Sequence, residues 1–252
     1  MFANKYIRKL LTSFNMLPVY RQSEGAENLE YNYSTFSSCL NIFKKNGIAL
    51  IFSEGRCINE WDLRPLKKGT ARLAINAWQQ GIPLKILPVG INYSSFRLFG
   101  KNVIMNFGEM IYESDISEEL LSGKAILYFN KKLEEQLQEL VIQIDKNDKQ
   151  TIKKIFLLRQ PLLKKILLFV PAIIGYVIHF PLYFSIVSAI KKIATDHFDS
   201  IVVGALFFIY PIYLVVLTLL IFCSTKSLFS LFLLILIPFT AWAFLQIKKQ
   251  VQ

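Results

Sequence analysis

The chain has few of the residues that carry most nucleophilic and metal chemistry. Its 252 residues include two histidines and three cysteines. Cys39, Cys57 and Cys223 are odd in number and lack metal-ligand spacing, so they indicate a reducing, cytoplasmic setting rather than a disulfide framework. Cys57 lies in a charged loop, but we do not expect it to act as a nucleophile, since no histidine lies in the N-terminal half to activate it.

Charge is scarce in the C-terminal third of the chain. Residues 1–165 carry 24 Lys and Arg and 16 Asp and Glu, whereas residues 166–252 carry 5 and 2. Three apolar runs, residues 166–190, 201–223 and 227–247, each reach the ~20 residues that a membrane-crossing helix needs. The sequence therefore predicts an integral membrane domain over residues 166–252.

The N-terminal part alternates helix and strand patterns. Apolar spacing predicts amphipathic helices over residues 29–43, 71–78 and 126–144. Unbroken or alternating apolar runs predict strands over residues 48–52, 85–91 and 102–107. This alternation favours an α/β domain over residues 1–145.

Residues 146–165 link the two parts and interleave apolar with basic side chains. This pattern predicts an amphipathic helix in the headgroup plane of an anionic leaflet. A solvated linker helix is the alternative.

The first apolar run contains Pro171, Gly175 and Pro181. These residues allow two half-helices that enter the membrane and return, which would place the flanking lysines on one cytoplasmic face, as the positive-inside rule favours. A third membrane crossing is the alternative, since 25 residues suffice for a tilted helix. We expect the re-entrant form.

A carboxylate and several cations follow the predicted strand at residues 48–52. Glu54, Gly55 and Arg56 come directly after it, and Lys67 and Lys68 precede the next helix. Ligands of parallel sheets bind beyond the carboxyl ends of the strands, and cations near a helix start suit a phosphate. The pattern predicts a site for an anionic substrate.

The same residues resemble a block of the glycerolipid acyltransferase family. Residues 52–55 (Phe-Ser-Glu-Gly) with 66–69 (Leu-Lys-Lys-Gly) are similar to the third block of that family. Residues 15–21 (Asn-Met-Leu-Pro-Val-Tyr-Arg) resemble the second block, and residues 86–90 (Ile-Leu-Pro-Val-Gly) resemble the fourth. The three blocks occur in the family's order.

The resemblance implies an acyltransferase-type α/β fold and a substrate class. The family moves a fatty acyl group from acyl-CoA or acyl carrier protein to a hydroxyl of glycerol 3-phosphate or lysophosphatidic acid, at a lipid bilayer and without a cofactor or metal. No nucleic-acid partner is expected. The implied phosphate-binding residues are Arg21, Glu54, Gly55, Arg56, Lys67 and Lys68.

The family's first block, Asn-His-x-x-x-x-Asp, supplies the general base and is missing here. Phe184 follows His179 by five residues and Val202 follows His197 by five, so neither histidine fits the block. We expect that Met1 is an internal methionine of a longer enzyme. The alternatives are a catalytically dead protein that binds lipid phosphate, and a small transport or scaffold protein.

Structural roles are the alternatives for several of these candidate residues. Glu54 is also placed to cap a helix or to pair with Arg64, and one of Lys67 and Lys68 is expected to face solvent. His179 is expected to bond to a neighbouring helix inside the membrane.

Overall fold

The computed structural model describes residues 5–20, 31–116, 124–145, 147–191 and 197–248. These residues are mostly helical, with one small sheet of two strands. The elements in chain order are α1 (Lys5–Ser13), α2 (Tyr31–Lys44), α3 (Lys68–Gln79), β1 (Val89–Tyr93), β2 (Val103–Phe107), α4 (Ala125–Leu140), α5 (Lys149–Phe156), α6 (Leu162–Ile190), α7 (Phe198–Thr225) and α8 (Leu233–Ile247). Two 3-10 helices, Glu113–Asp115 and Leu228–Phe232, precede α4 and α8.

The chain forms two compact units that interleave along the sequence. The first takes Met1–Arg56, Arg64–Val89 and Phe107–Glu139, and the second takes Cys57–Leu63, Gly90–Asn106 and Leu140–Gln252. The element order is compatible with an α/β N-terminal part followed by an all-α region. The predicted domain boundaries at residues 145 and 165 stay predictions.

Helices α2, α3 and α4 build the core of the first unit. The core side chains of α2 and α3 are Cys39, Leu40, Phe43, Leu73 and Ala77. Trp78 of α3 meets Phe129 of α4 edge to face, with ring centroids 5.9 Å apart, and donates its indole N–H to the Leu84 carbonyl. The three predicted helices are therefore present, because their apolar stripes have partners. Residues 29 and 30 lie outside the described residues.

The predicted strand at residues 48–52 is wrong. These residues have irregular backbone, and Ile48 is 93% and Phe52 70% exposed. An apolar run forms a strand only where a neighbour completes its hydrogen-bond ladder. In the described part of the chain the sheet contains β1 and β2 alone, so residues 48–52 have no neighbouring strand there.

Strands β1 and β2 confirm the other two strand predictions with shifted bounds. The Ser94 amide donates to the Asn102 carbonyl and the Gly108 amide to the Pro88 carbonyl, so the strands run antiparallel. An antiparallel bridge between Ile86 and Ile111 lies beyond them. The pair is therefore not part of the parallel sheet that the sequence predicted.

Trp61 is the centre of the soluble core in the second unit. Its ring lies 4.5 Å from that of Phe96, and its indole N–H donates to the Tyr93 carbonyl over 2.6 Å. Ile144 and two residues of α5, Ile152 and Phe156, pack around it.

This packing corrects the prediction of one headgroup helix over residues 146–165. Ile152 and Phe156 are each 1% exposed, so the apolar face of α5 is covered by protein. Helix α5 begins where Asp148 accepts from the Thr151 amide and ends at Phe156, whereas α6 begins after Pro161. Residue 146 lies outside the described residues.

Three apolar helical segments follow. Leu162–Ile190, Phe198–Thr225 and Leu228–Ile247 are long and apolar enough to cross a membrane by length and composition. Lys226 is left-handed, with φ of 50°, and ends α7 at the turn toward α8. The protein is therefore membrane-embedded.

Helix α6 continues through Pro171 and Pro181, so the predicted pair of separate half-helices is not formed. Contacts from its start and from Tyr183, seven residues before its end, nevertheless reach the end of α8. Lys164 donates to Gln246 over 2.6 Å, and Lys248 lies 5.9 Å from the ring centroid of Tyr183.

Such convergence is compatible with a bend in α6. Residues 164 and 183 would be about 28 Å apart in a straight helix, yet their partners are two residues apart. Pro171 and Gly175 lie between them, and proline is a common cause of a kink. A bend alone does not reverse the direction of a helix, so the re-entrant arrangement stays a prediction.

Candidate functional site

A tight turn at residues 52–55 positions the candidate carboxylate and glycine. The Gly55 amide donates to the Phe52 carbonyl over 3.1 Å, and Gly55 has a φ of +67°. This left-handed conformation favours glycine. A Cβ at position 55 would lie 3.1 Å from Cγ of Lys67, so the turn rests on the Lys67 side chain.

The two ends of the loop are joined by hydrogen bonds. The Lys67 amide donates to the Ser53 carbonyl over 2.8 Å, and the hydroxyls of Ser53 and Thr70 lie 2.9 Å apart. Glu54 Oε2 accepts from the backbone amide of Arg64 over 3.2 Å. The sequence-predicted cluster of Glu54, Gly55 and Lys67 is therefore brought together.

Helix α3 begins at this junction. Lys67 is its N-cap in extended conformation and provides no side-chain cap. The first amides of a helix have no intrahelical acceptor and carry partial positive charge, so they favour an anion. Lys67 and Lys68 are both exposed, whereas the sequence predicted one of them to face solvent.

The two candidate arginines differ in what the structure shows. Arg56 is exposed directly after the turn. Arg21 lies outside the described residues. The segment leading to it, however, is held on α2: the Asn32 amide side chain exchanges two hydrogen bonds with the backbone of Tyr20, and the Thr35 hydroxyl donates to the Pro18 carbonyl.

Sequence reasoning missed Asn32 and Thr35. Their hydrogen bonds join residues 12 and 17 positions apart, a relationship that apolar periodicity does not report. A polar residue on the apolar side of α2 is the available signal, since Thr35 is 5% exposed.

His179 and Cys39 take structural positions. His179 Nδ1 lies 2.7 Å from the Gly175 carbonyl and Nε2 lies 3.1 Å from the Tyr210 hydroxyl, so both ring nitrogens are engaged. This confirms the expected bond to a neighbouring helix. Cys39 is buried, which raises the pKa of its thiol, whereas Cys57 and Cys223 are exposed.

Among the described residues, no group of three His, Cys, Asp or Glu side chains is placed to hold a metal ion. The cluster at residues 53–70 instead combines a turn, two lysines and a helix start. Such an arrangement can bind a phosphate through backbone amides and ammonium groups.

Anion binding by this cluster stays a prediction. Residues 1–92 match the family model described as Acyltransferase. This match agrees with the resemblance of its sequence blocks to the glycerolipid acyltransferase family. Comparisons with curated proteins and with solved structures find no match.

Proposed function

We propose that this protein acts in acyl transfer from acyl-CoA or acyl carrier protein to a hydroxyl of glycerol 3-phosphate or lysophosphatidic acid. The family match supports acyl transfer in general. The observation that carries the acceptor class is the junction of Gly55, Lys67 and the start of α3, which presents amides and cations to a phosphate. Phospholipid synthesis is the process that this chemistry serves.

The bonds of the reaction follow from the substrates. The acceptor hydroxyl oxygen attacks the thioester carbonyl, a C–O bond forms and the C–S bond breaks. The hydroxyl proton passes to a base and then to the thiolate leaving group, which gives an ester and a thiol. Arg21, Glu54, Arg56, Lys67 and Lys68 hold and orient the acceptor phosphate in this proposal.

This sequence does not contain the family's general-base block. His179 uses both ring nitrogens within the membrane helices, so it is poorly suited to the role. We propose that an Asn-His-x-x-x-x-Asp block encoded upstream of Met1 supplies the base. A catalytically dead phosphate-binding protein is the alternative, since the loop at residues 53–70 is formed without that block.

We propose that the site works at a bilayer, and the three apolar helices support this. An acyl chain and a lysolipid both partition into lipid, so an enzyme held there meets its substrates at high local concentration. The lysines at both ends of α6, Lys164, Lys165 and Lys191, favour the cytoplasmic side for the soluble part.

Binding and turnover test the two proposals separately. Purified 252-residue protein is titrated with glycerol 3-phosphate and, as a control without phosphate, glycerol. We expect saturable binding of the phosphate ester alone, weakened in Lys67→Ala and unchanged in Lys131→Ala, because Lys131 is an exposed lysine of α4. Equal binding of both compounds would contradict the phosphate site.

Turnover is then measured with radiolabelled acyl-CoA and acyl carrier protein. We expect little transfer by the 252-residue chain and activity in a version extended upstream through the histidine block, because a general base contributes ~10²–10⁴-fold. An extended chain that binds phosphate but remains inactive would favour the catalytically dead alternative. Comparable turnover by both versions would contradict the role of the block.

A further inference from the structure

Helix α1 has two chemically distinct faces. Residues 5, 8, 9, 12 and 13 lie on one side of the helix and are Lys, Arg, Lys, Thr and Ser. Tyr6 and Leu10 lie on the other side, and Phe14 follows the helix at the same spacing of four residues. Tyr6 is 85%, Leu10 54% and Phe14 69% exposed.

Two further apolar side chains are exposed after the helix. Met16 is 49% and Val19 66% exposed. A run of large exposed apolar side chains rimmed by cations is typical of a surface that meets a partner, since folded proteins rarely leave such a patch in water.

Charge selects the partner. The first 20 residues carry Lys5, Arg8 and Lys9 and no acidic residue, so the polar face attracts an anionic surface. A bilayer with anionic lipids offers phosphates to these cations and acyl chains to the apolar face. The three apolar helices already tether the chain to a membrane, which raises the effective concentration of lipid around α1.

We propose that α1 lies in the headgroup plane of an anionic bilayer. Leu10 and Phe14 enter the acyl-chain boundary, with the Tyr6 ring beside them, while Lys5, Arg8 and Lys9 contact lipid phosphates. An isolated helix of 9 residues is marginal in water, so the lipid surface also stabilises its helical form. The inference does not use the phosphate site proposed at residues 53–70.

The test places one environment-sensitive fluorophore on each face of α1. Cys39→Ala, Cys57→Ser and Cys223→Ala provide a background without other thiols. Leu10→Cys and the matched control Thr12→Cys are labelled with bimane in the full chain and reconstituted into vesicles of phosphatidylcholine and phosphatidylglycerol. Brominated phosphatidylcholine then reports contact with acyl chains, and iodide reports contact with water.

We expect several-fold stronger quenching by brominated lipid at position 10 than at position 12, and the reverse order with iodide. Phe14→Cys and Ser13→Cys form a second pair with the same expectation. Replacing Lys5, Arg8 and Lys9 with Gln, or using phosphatidylcholine alone, is expected to reduce the lipid quenching at position 10.

Three results would overturn the proposal. Equal lipid quenching at positions 10 and 12 would mean that α1 does not lie at the lipid surface. Protection of position 10 from iodide without lipid quenching would mean that protein, such as a second copy of the chain, covers this face. Lipid quenching that persists unchanged in phosphatidylcholine alone would remove the anionic surface as the partner.

Discussion

Gly55 lies against the side chain of Lys67, and a Cβ at position 55 would come 3.1 Å from Lys67 Cγ. Gly55 also has positive φ. We therefore expect Gly55→Ala to lower the free energy of unfolding by ~1–2 kcal/mol for the backbone and to displace Lys67 as well. Binding of glycerol 3-phosphate should weaken in consequence.

Gly81 provides the matched control for this change. Its φ is +70°, but a Cβ there meets nothing within 4 Å. Gly81→Ala should therefore show a similar loss of stability in a chemical unfolding curve, with glycerol 3-phosphate affinity unchanged. Equal losses of affinity in both variants would mean that Lys67 displacement plays no part in binding.

Glu54 distinguishes a structural from a functional role for the loop carboxylate. Its Oε2 accepts from the Arg64 amide, and a glutamine retains an oxygen acceptor there. Glu54→Gln should keep the fold, whereas Glu54→Ala should lose ~0.5–3 kcal/mol of stability. If Glu54 orients substrate, turnover of the extended enzyme should fall in Glu54→Gln; a fully active variant would leave only the structural role.

Lysine replacements at the start of α3 should have modest effects. Both Lys67 and Lys68 are exposed, so each contact with a phosphate is screened by water and salt. We expect each single change to Ala to weaken glycerol 3-phosphate binding by about 1 kcal/mol, or about fivefold in Kd, and more at low salt. Titrations at two salt concentrations check this, and salt-independent binding would contradict an electrostatic contact.

The sequence correctly predicted the helices whose apolar stripes pack against one another. The apolar stripes of α2 and α3 find each other, and Trp78 and Phe129 join α4 to them. The strand predicted at residues 48–52 does not form. Strand formation depends on a neighbouring strand, which the local sequence does not encode. These residues are apolar, but an apolar run by itself does not predict a strand.

The predictions of site residues divide in the same way, between local and distant relationships. Glu54, Gly55 and Lys67 were predicted from their types and spacing, and the structure brings them together. The roles of Asn32 and Thr35 were not predicted, because single polar residues within a helix carry no periodic signal. Similarly, the burial of Ile152 and Phe156 depends on Trp61, which is far away in the sequence.

Packing between α6 and α8 depends on the absence of a side chain at Gly175. A Cβ at Gly175 would lie 2.1 Å from the Thr240 carbonyl oxygen, so the helices must separate in Gly175→Ala. We expect a loss of ~1–3 kcal/mol in unfolding free energy, as for other overpacked sites. Gly204→Ala in α7 is the control, since a Cβ there meets nothing within 4 Å and should leave stability unchanged or raised.

Membrane topology gives the last prediction. Contacts from Lys164 to Gln246 and from Lys248 to Tyr183 join two parts of α6 to the end of α8. If α6 bends and returns, Lys164, Lys165, Lys191 and Lys248 share one face of the membrane and Lys226 lies on the other. That distribution satisfies the positive-inside rule, whereas a straight crossing separates Lys191 from Lys164. Lys192 and Lys249, which the sequence pattern places on the same face, lie outside the described residues.

Single cysteines in a background without Cys39, Cys57 and Cys223 measure this arrangement. A membrane-impermeant maleimide applied to intact cells should label Ser227→Cys, at the outer turn, but not Ser200→Cys, near the start of α7. Permeabilised cells should then label both, which controls for reactivity. Labelling of Ser200→Cys from outside would mean that α6 crosses the membrane, because only a crossing carries the α6–α7 connection to the outer face.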